Sequence, residues 1–216
     1  LQAIVVLGWA GIGALPAAAG PALLFDVSDG RILYAEDLDH QWHPASLTKI
    51  MTAYVVFEAV KKGEIALDAR IKCSELAHVQ PPSKVGLNVG AEMSLQKGLE
   101  ALIIKSANDV AIVIAEKLGG GSEAKFVAKM NAKAKELGML NTTFRNASGL
   151  PDKKQVTTAR DMAKLAEAVY IDHKNRYNYF SLSSFSWGKR KYMNHNELLR
   201  RVDGVDGIKT GFTNAS

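Results

Sequence analysis

The chain has 216 residues, 47% of them hydrophobic and 23% charged, the balance of an ordinary globular protein and far from that of a disordered one. Its formal net charge is +5, but lysine and arginine are spread along the chain, and Lys189-Arg190-Lys191 is the one tight basic run. With no recognisable nucleic-acid-binding module, that distribution argues against nucleic acid and suits an anionic polymer or a membrane face.

Leu1 to Ala19 carries no charged residue. The run from Ala3 to Ala10 is largely apolar, and Leu15-Pro16 leads into Ala17-Ala18-Ala19. This matches the apolar region and small-residue cleavage site of an export signal, without its basic start or an initiator Met. The alternative, a buried apolar helix, is opposed by Gly8, Gly11, Gly13 and Pro16. The expectation is an export-signal remnant over 1–19 and one incomplete domain over 20–216. A single cysteine, Cys73, permits no intrachain disulfide and reads as a small buried hydrophobe.

Ala22 to Val27 and Arg31 to Glu36 flank Ser28-Asp29-Gly30, a hairpin signal. From Ser46 to Lys62 the residues Ile50, Met51, Tyr54, Val55 and Ala59 recur at helical spacing. Pro44 stands just before this stretch and Gly63 just after it, which predicts a bounded helix. Cys73 to Gly90 has no clear period and reads as loop with short strands. Ser94 is placed to cap a helix carrying Leu95, Leu99, Leu102 and Ile103. After Ser106-Ala107-Asn108, Asp109 starts a second apolar helix, Val110 to Leu118. Ser122 to Leu137 predicts an amphipathic helix closed by Gly138. Asn141 to Thr157 reads as irregular loop, Thr158 to Tyr170 as helix, Ser181 to Tyr192 as strands and Gly207 to Phe212 as a short strand. Strands first, helices next and a strand last predict an α+β fold with a helical cluster on an antiparallel sheet.

Three short motifs carry the chemistry: Ser46-Leu47-Thr48-Lys49, Ser106-Ala107-Asn108 and Lys209-Thr210-Gly211. Their serines lie 60 residues apart, and Lys209 follows 103 residues after the second. Each motif alone is weak; the ordered set is much harder to obtain by chance. On a helix Ser46 and Lys49 share a face, near an N-terminus whose free N–H groups favour a developing anion. A serine needs a base to become a nucleophile. Lys49 can serve only if burial or another cation destabilises its ammonium, and Lys209 is a candidate for that cation. The bland alternatives are a capping Ser46 with a solvated Lys49, Ser106 and Asn108 as caps, and a turn at Lys209. No H-E-x-x-H or comparable ligand pair joins His40, His43, His78, His173 or His195, so no metal and no cofactor is expected.

Longer stretches make the pattern specific: Pro44 to Thr52, Lys105 to Asp109, Asn146 to Asp152, Thr158 to Ala163 and Asp206 to Thr213. From about Ala22 onward the chain resembles the D-alanyl-D-alanine carboxypeptidase family, the low-molecular-mass penicillin-binding proteins. The trio itself is similar to the S-x-x-K, S-D-N and K-T-G signature of that group and of serine β-lactamases. The resemblance implies a β-lactamase/transpeptidase-like fold and an exported enzyme, in the periplasm or on the outer face of the cytoplasmic membrane. It would remove the terminal D-alanine from peptidoglycan pentapeptide and be inhibited covalently by β-lactam antibiotics. Peripheral membrane contact is compatible with it.

By the same resemblance Ser46 forms the acyl-enzyme, Lys49 accepts its proton, and Ser106 relays a proton to the departing D-alanine. Asn108 holds the substrate amide, Lys209 and Thr210 bind the terminal carboxylate, and Gly211 allows close backbone approach. The N–H groups of Ser46 and Phe212 form the oxyanion hole, worth roughly 3–4 kcal/mol per donor in comparable enzymes. It further implies two strands and a closing helix beyond Phe212, which this chain would lack.

A β-lactamase is disfavoured by Ala107 in place of Asp. The nearest approach to a deacylating Glu with its Asn, Glu136 and Asn141, also has the wrong spacing. A D,D-endopeptidase shares all the motifs. A catalytically inert cell-wall-binding module would be favoured by loss of Ser46 or Lys49, and both are present.

Overall fold

The computed structural model describes residues 20–212; the export-signal reading of 1–19 lies outside them. Strand β1 (Ala22–Phe25) pairs antiparallel with β2 (Ile32–Glu36), with Ala22 opposite Glu36. The turn forms because Asp26 accepts hydrogen bonds from the backbone and hydroxyl of Ser28, and Gly30 adopts a positive φ of 71°. A 3₁₀ turn, Ala45–Leu47, then feeds α1 (Thr48–Lys61). The expected helix start at Ser46 is therefore a tighter turn, entered through Ala45 at φ 46°.

Every residue of α1 from Thr48 to Phe57 is buried, as befits a helix that is apolar nearly all round. It packs against α3 (Leu95–Ile104), α4 (Asn108–Leu118), α5 (Glu123–Glu136) and α6 (Ala159–Asp172). Met51, Val56 and Phe57 meet a core that includes Leu99, Leu102, Val110, Ile114, Phe126 and Met130, each fully buried. Burying such a side chain stabilises the fold by about 1.5–3 kcal/mol. Gly98 lets α3 approach its neighbour, since an added Cβ would lie 2.7 Å from Ile71 Cδ1. Ser94, Ser122 and Thr158 cap α3, α5 and α6 by accepting from Lys97, Lys125 and Asp161 N–H groups.

Between α1 and α3 the chain forms β3 (Arg70–Lys72), the short helix α2 (Glu75–His78) and β4 (Glu92–Ser94), with β3 antiparallel to β4. Helix α2 has no counterpart in the loop expected there; Ser74 starts it by accepting from Ala77 N. After α6, a 3₁₀ turn (Tyr177–Ser181) precedes the hairpin of β5 (Ser184–Trp187) and β6 (Arg190–Met193), and α7 (Leu198–Arg201) follows. The class is α+β as expected, but among the described residues the strands form three separate two-stranded sheets instead of one. Gly207 to Phe212 is not a strand. A strand needs a partner edge for its backbone groups, and no strand among the described residues pairs with this segment.

Candidate active site

One cleft of about 370 Å³ is lined by Ser46, Ser106, Asn108, Lys209, Thr210 and His195, among others. Three distant stretches of sequence thus converge on one space. The 3₁₀ turn supplies Ser46, and α1 supplies Lys49 one turn later. Ser106 sits between α3 and α4 at φ 57°, and Asn108 is the first residue of α4. The Lys209–Phe212 segment closes the far side. A Cβ on Gly211 would lie 3.3 Å from the backbone nitrogens of both Ser46 and Leu47, so this glycine sets the distance between the two walls. Phe212 is largely exposed.

Lys49 is fully buried, which removes the solvated-lysine alternative. Its Nζ lies 2.8 Å from Asn108 Oδ1 and 3.3 Å from Ser46 Oγ, and it also donates to the Ser148 carbonyl. Burial pushes its ammonium well below the usual lysine range; Lys209 adds repulsion and Asp109 partly opposes both. A neutral amine has two hydrogens and one lone pair. Asn108 Oδ1 and the Ser148 carbonyl can only accept, so they occupy both hydrogens and leave the lone pair for the Ser46 hydroxyl. Lys209 is half-buried, and burial lowers it to about 8.

Asn108 is clamped as well as clamping. Its backbone N–H donates to Ser83 O at 2.7 Å and its Nδ2 to Pro81 O at 3.0 Å. Ala107 and not a side chain occupies the N-cap of α4, so neither Ser106 nor Asn108 acts as the cap. Ser106 Oγ is buried and has no protein partner among the described residues, an orphan hydroxyl that needs a partner from a ligand or solvent.

Several supporting residues escaped the sequence reading. Ser148 contributes the carbonyl that fixes Lys49. Gly149, at φ 84°, stands where a Cβ would meet Ala45 O at 1.9 Å, so only glycine lets this loop reach the Ser46 turn. Asn146 Oδ1 holds that loop by accepting from Gly149 N at 2.7 Å. Thr52 Oγ1 donates to Ala147 O at 2.7 Å. Buried Asp109 accepts from the backbone of Val85, Gly86 and Leu87, anchoring the strip beside Ser83. The stretches Pro44 to Thr52, Lys105 to Asp109 and Asn146 to Asp152 did hold these residues, but spacing alone assigned them no work.

Solved structures share this fold. Penicillin-binding protein 5 from Haemophilus influenzae matches with a TM-score of 0.87 and 34% identity over 94% of this chain and 60% of its own. Penicillin-binding protein D2 from Listeria monocytogenes, in its cefotaxime-bound form, matches with 0.82 and 33% identity over 94% and 82%. The fold is therefore that of the penicillin-binding, transpeptidase-like class.

The family model of D-alanyl-D-alanine carboxypeptidases matches residues 12–216, and the chain belongs to that family. The carboxypeptidase DacF of Bacillus subtilis is 36% identical over 90% of this chain and 51% of its own length. DacC of Escherichia coli is 36% identical over 88% and 49%. The chain spans about half the length of these curated relatives.

Proposed function

We propose that this cleft performs serine acyl transfer on peptidoglycan stem peptides ending in D-alanyl-D-alanine, acting as a carboxypeptidase. The observation that carries the reading is Lys49, buried, its ammonium destabilised by burial and by Lys209, and in hydrogen-bond reach of Ser46. The Ser46 hydroxyl adds to the carbonyl carbon of the scissile bond as its proton passes to Lys49 Nζ. The resulting oxyanion is received by the N–H groups of Ser46 and Phe212. Collapse breaks the C–N bond, and the departing D-alanine amine takes a proton relayed through Ser106. Water then hydrolyses the Ser46 ester, returning the serine proton.

Lys209 and Thr210 hold the terminal carboxylate, which commits the site to a C-terminal residue, and Asn108 holds the substrate amide. A β-lactam carries a comparable carboxylate and acylates the same serine. The substrate lies outside the cytoplasmic membrane, and the apolar stretch leading to Ala17-Ala18-Ala19 supports export to that side.

The test is mass spectrometry of products from a muramyl pentapeptide and a cross-linked dimer, beside labelling by fluorescent penicillin. Release of one D-alanine from the pentapeptide and loss of labelling in Ser46→Ala are expected. Cleavage of the dimer alone would make the protein an endopeptidase, and labelling that survives Ser46→Ala would refute the nucleophile.

A further inference from the structure

One cleft residue has no part in that mechanism. His195 lies in the turn between β6 and α7, between two buried asparagines. Asn194 Nδ2 donates to Leu182 O and Asn196 Nδ2 to Gly207 O, both at 2.9 Å, while Asn196 N donates to Asn194 Oδ1 at 2.8 Å. The His195 N–H reaches Ile104 O at 3.4 Å. The backbone is thus fastened to α3 and to the segment that leads to Lys209. The imidazole is left exposed at the cleft, beside Ser106 and Lys209.

The titratable groups acting on that ring are Lys105 at the end of α3 and Lys209, both cations, and least of all Lys49 on α1, whose own ammonium is destabilised by burial. On its other side Arg200 of α7 donates to Asn194 O at 3.2 Å. Glu197, the nearest carboxylate in sequence, is paired with Arg201 at 2.6 Å. Partial desolvation at the cleft wall, then Lys105 and Lys209, hold the imidazole below its ordinary value, which favours the neutral ring at neutral pH. A carboxylate entering among these cations reverses the local field and favours the imidazolium.

We propose that His195 is a substrate-binding residue that takes up a proton as an anionic group of the substrate enters the cleft. The proposal rests on the carboxypeptidase reading and deepens it: the site would bind its carboxylate with one more cation than it shows when empty. The sign follows from linkage. A group whose pKa is raised on binding adds affinity that is full below the free-state value and fades as pH rises through the bound-state value.

The experiment has two parts, both on the whole protein. D-alanine release from a D-alanyl-D-alanine peptide is followed from about pH 5 to pH 8 in wild type, His195→Gln and His195→Arg. Wild-type KM should fall toward acid pH. His195→Gln should lose that dependence, with KM raised roughly tenfold at the acid end and more than kcat is lowered. His195→Arg should keep a low KM with no such dependence, because arginine stays charged.

In the second part the Ser46→Ala variant is titrated calorimetrically near pH 6.5 in buffers of different ionisation enthalpy. Proton uptake is expected with the carboxylate peptide, and none with its carboxamide or after His195→Gln. Equal uptake and superimposable KM profiles in His195→Gln would overturn the proposal while leaving D-alanine release intact. If His195→Gln is not acylated by penicillin, His195→Arg and the carboxylate–carboxamide pair still decide. A wild-type protein that neither releases D-alanine nor is acylated would sink the carboxypeptidase reading, and this proposal with it.

Discussion

Lys49, buried behind Ser46, and Lys209, which lines the far side of the cleft, stand on supports that differ in kind. Lys49 is fully buried on a helix packed by four others, with Asn108, Ser148 and Ser46 all in contact with its Nζ. Lys209 stands on an unpaired segment, half-buried, and donates to the carbonyl of its own neighbour Thr210 at 2.7 Å. Both are pushed below the ordinary lysine range by burial, but the first wall is fixed before substrate arrives. On the proposed function, the second is the wall that a substrate carboxylate completes. The wall that carries Ser46 and Lys49 is closely packed, and the wall that carries Lys209 is open.

Lys49→Arg should break this contrast most severely. Arginine cannot shed its proton at working pH, so acylation of Ser46 should fall about 10³-fold, within the range for loss of a general base. A stopped-flow rate with penicillin checks it, and an unchanged rate would remove Lys49 from the base role. Gly149→Ala comes next. Its Cβ cannot coexist with Ala45 O at 1.9 Å, so a loss of about 3 kcal/mol in denaturant unfolding is expected, with acylation slowed because the Ser46 turn shifts.

Lys209→Ala should act on the other wall alone. KM for the D-alanyl-D-alanine peptide should rise about 10–100-fold, the worth of a charge-assisted hydrogen bond, with little change in the unfolding midpoint. A large fall in stability instead would mean that Lys209 is structural. Thr158→Ala, far from both lysines, should cost only about 1 kcal/mol by removing the cap of α6, measured by thermal unfolding. Any catalytic effect beyond that would show that α6 is coupled to the cleft.

The closely packed wall was also the more legible one in the sequence. Apolar periodicity marked α1 and α3, and Ser94, Ser122 and Thr158 stood at the caps that form. The hairpin around Ser28-Asp29-Gly30 was visible because turn chemistry is local. The 3₁₀ turn at Ser46 was not, since it depends on Gly149 arriving from more than a hundred residues away to press on Ala45. The carbonyl of Ser148 is invisible to any side-chain motif for the same reason. His195 looked like an isolated histidine until Asn194 and Asn196 anchored its turn to Leu182 and Gly207. Gly207 to Phe212 was a short strand candidate, but strand formation is a property of a pair of edges. The exposed faces of Leu24 and Tyr34 on the first hairpin are a second sign that sheet assembly is written in partners and not in one segment.

The central claim is that Lys49 is a neutral amine in the resting cleft. The direct measurement is a pH titration of a ¹³Cε-labelled lysine signal, assigned to Lys49 by comparison with the Lys49→Arg spectrum. The account predicts a midpoint far below the ordinary lysine value of about 10.4, with the acylation rate rising through the same pH range. A Lys49 signal that remains protonated up to that ordinary value, while acylation proceeds at neutral pH, would contradict it.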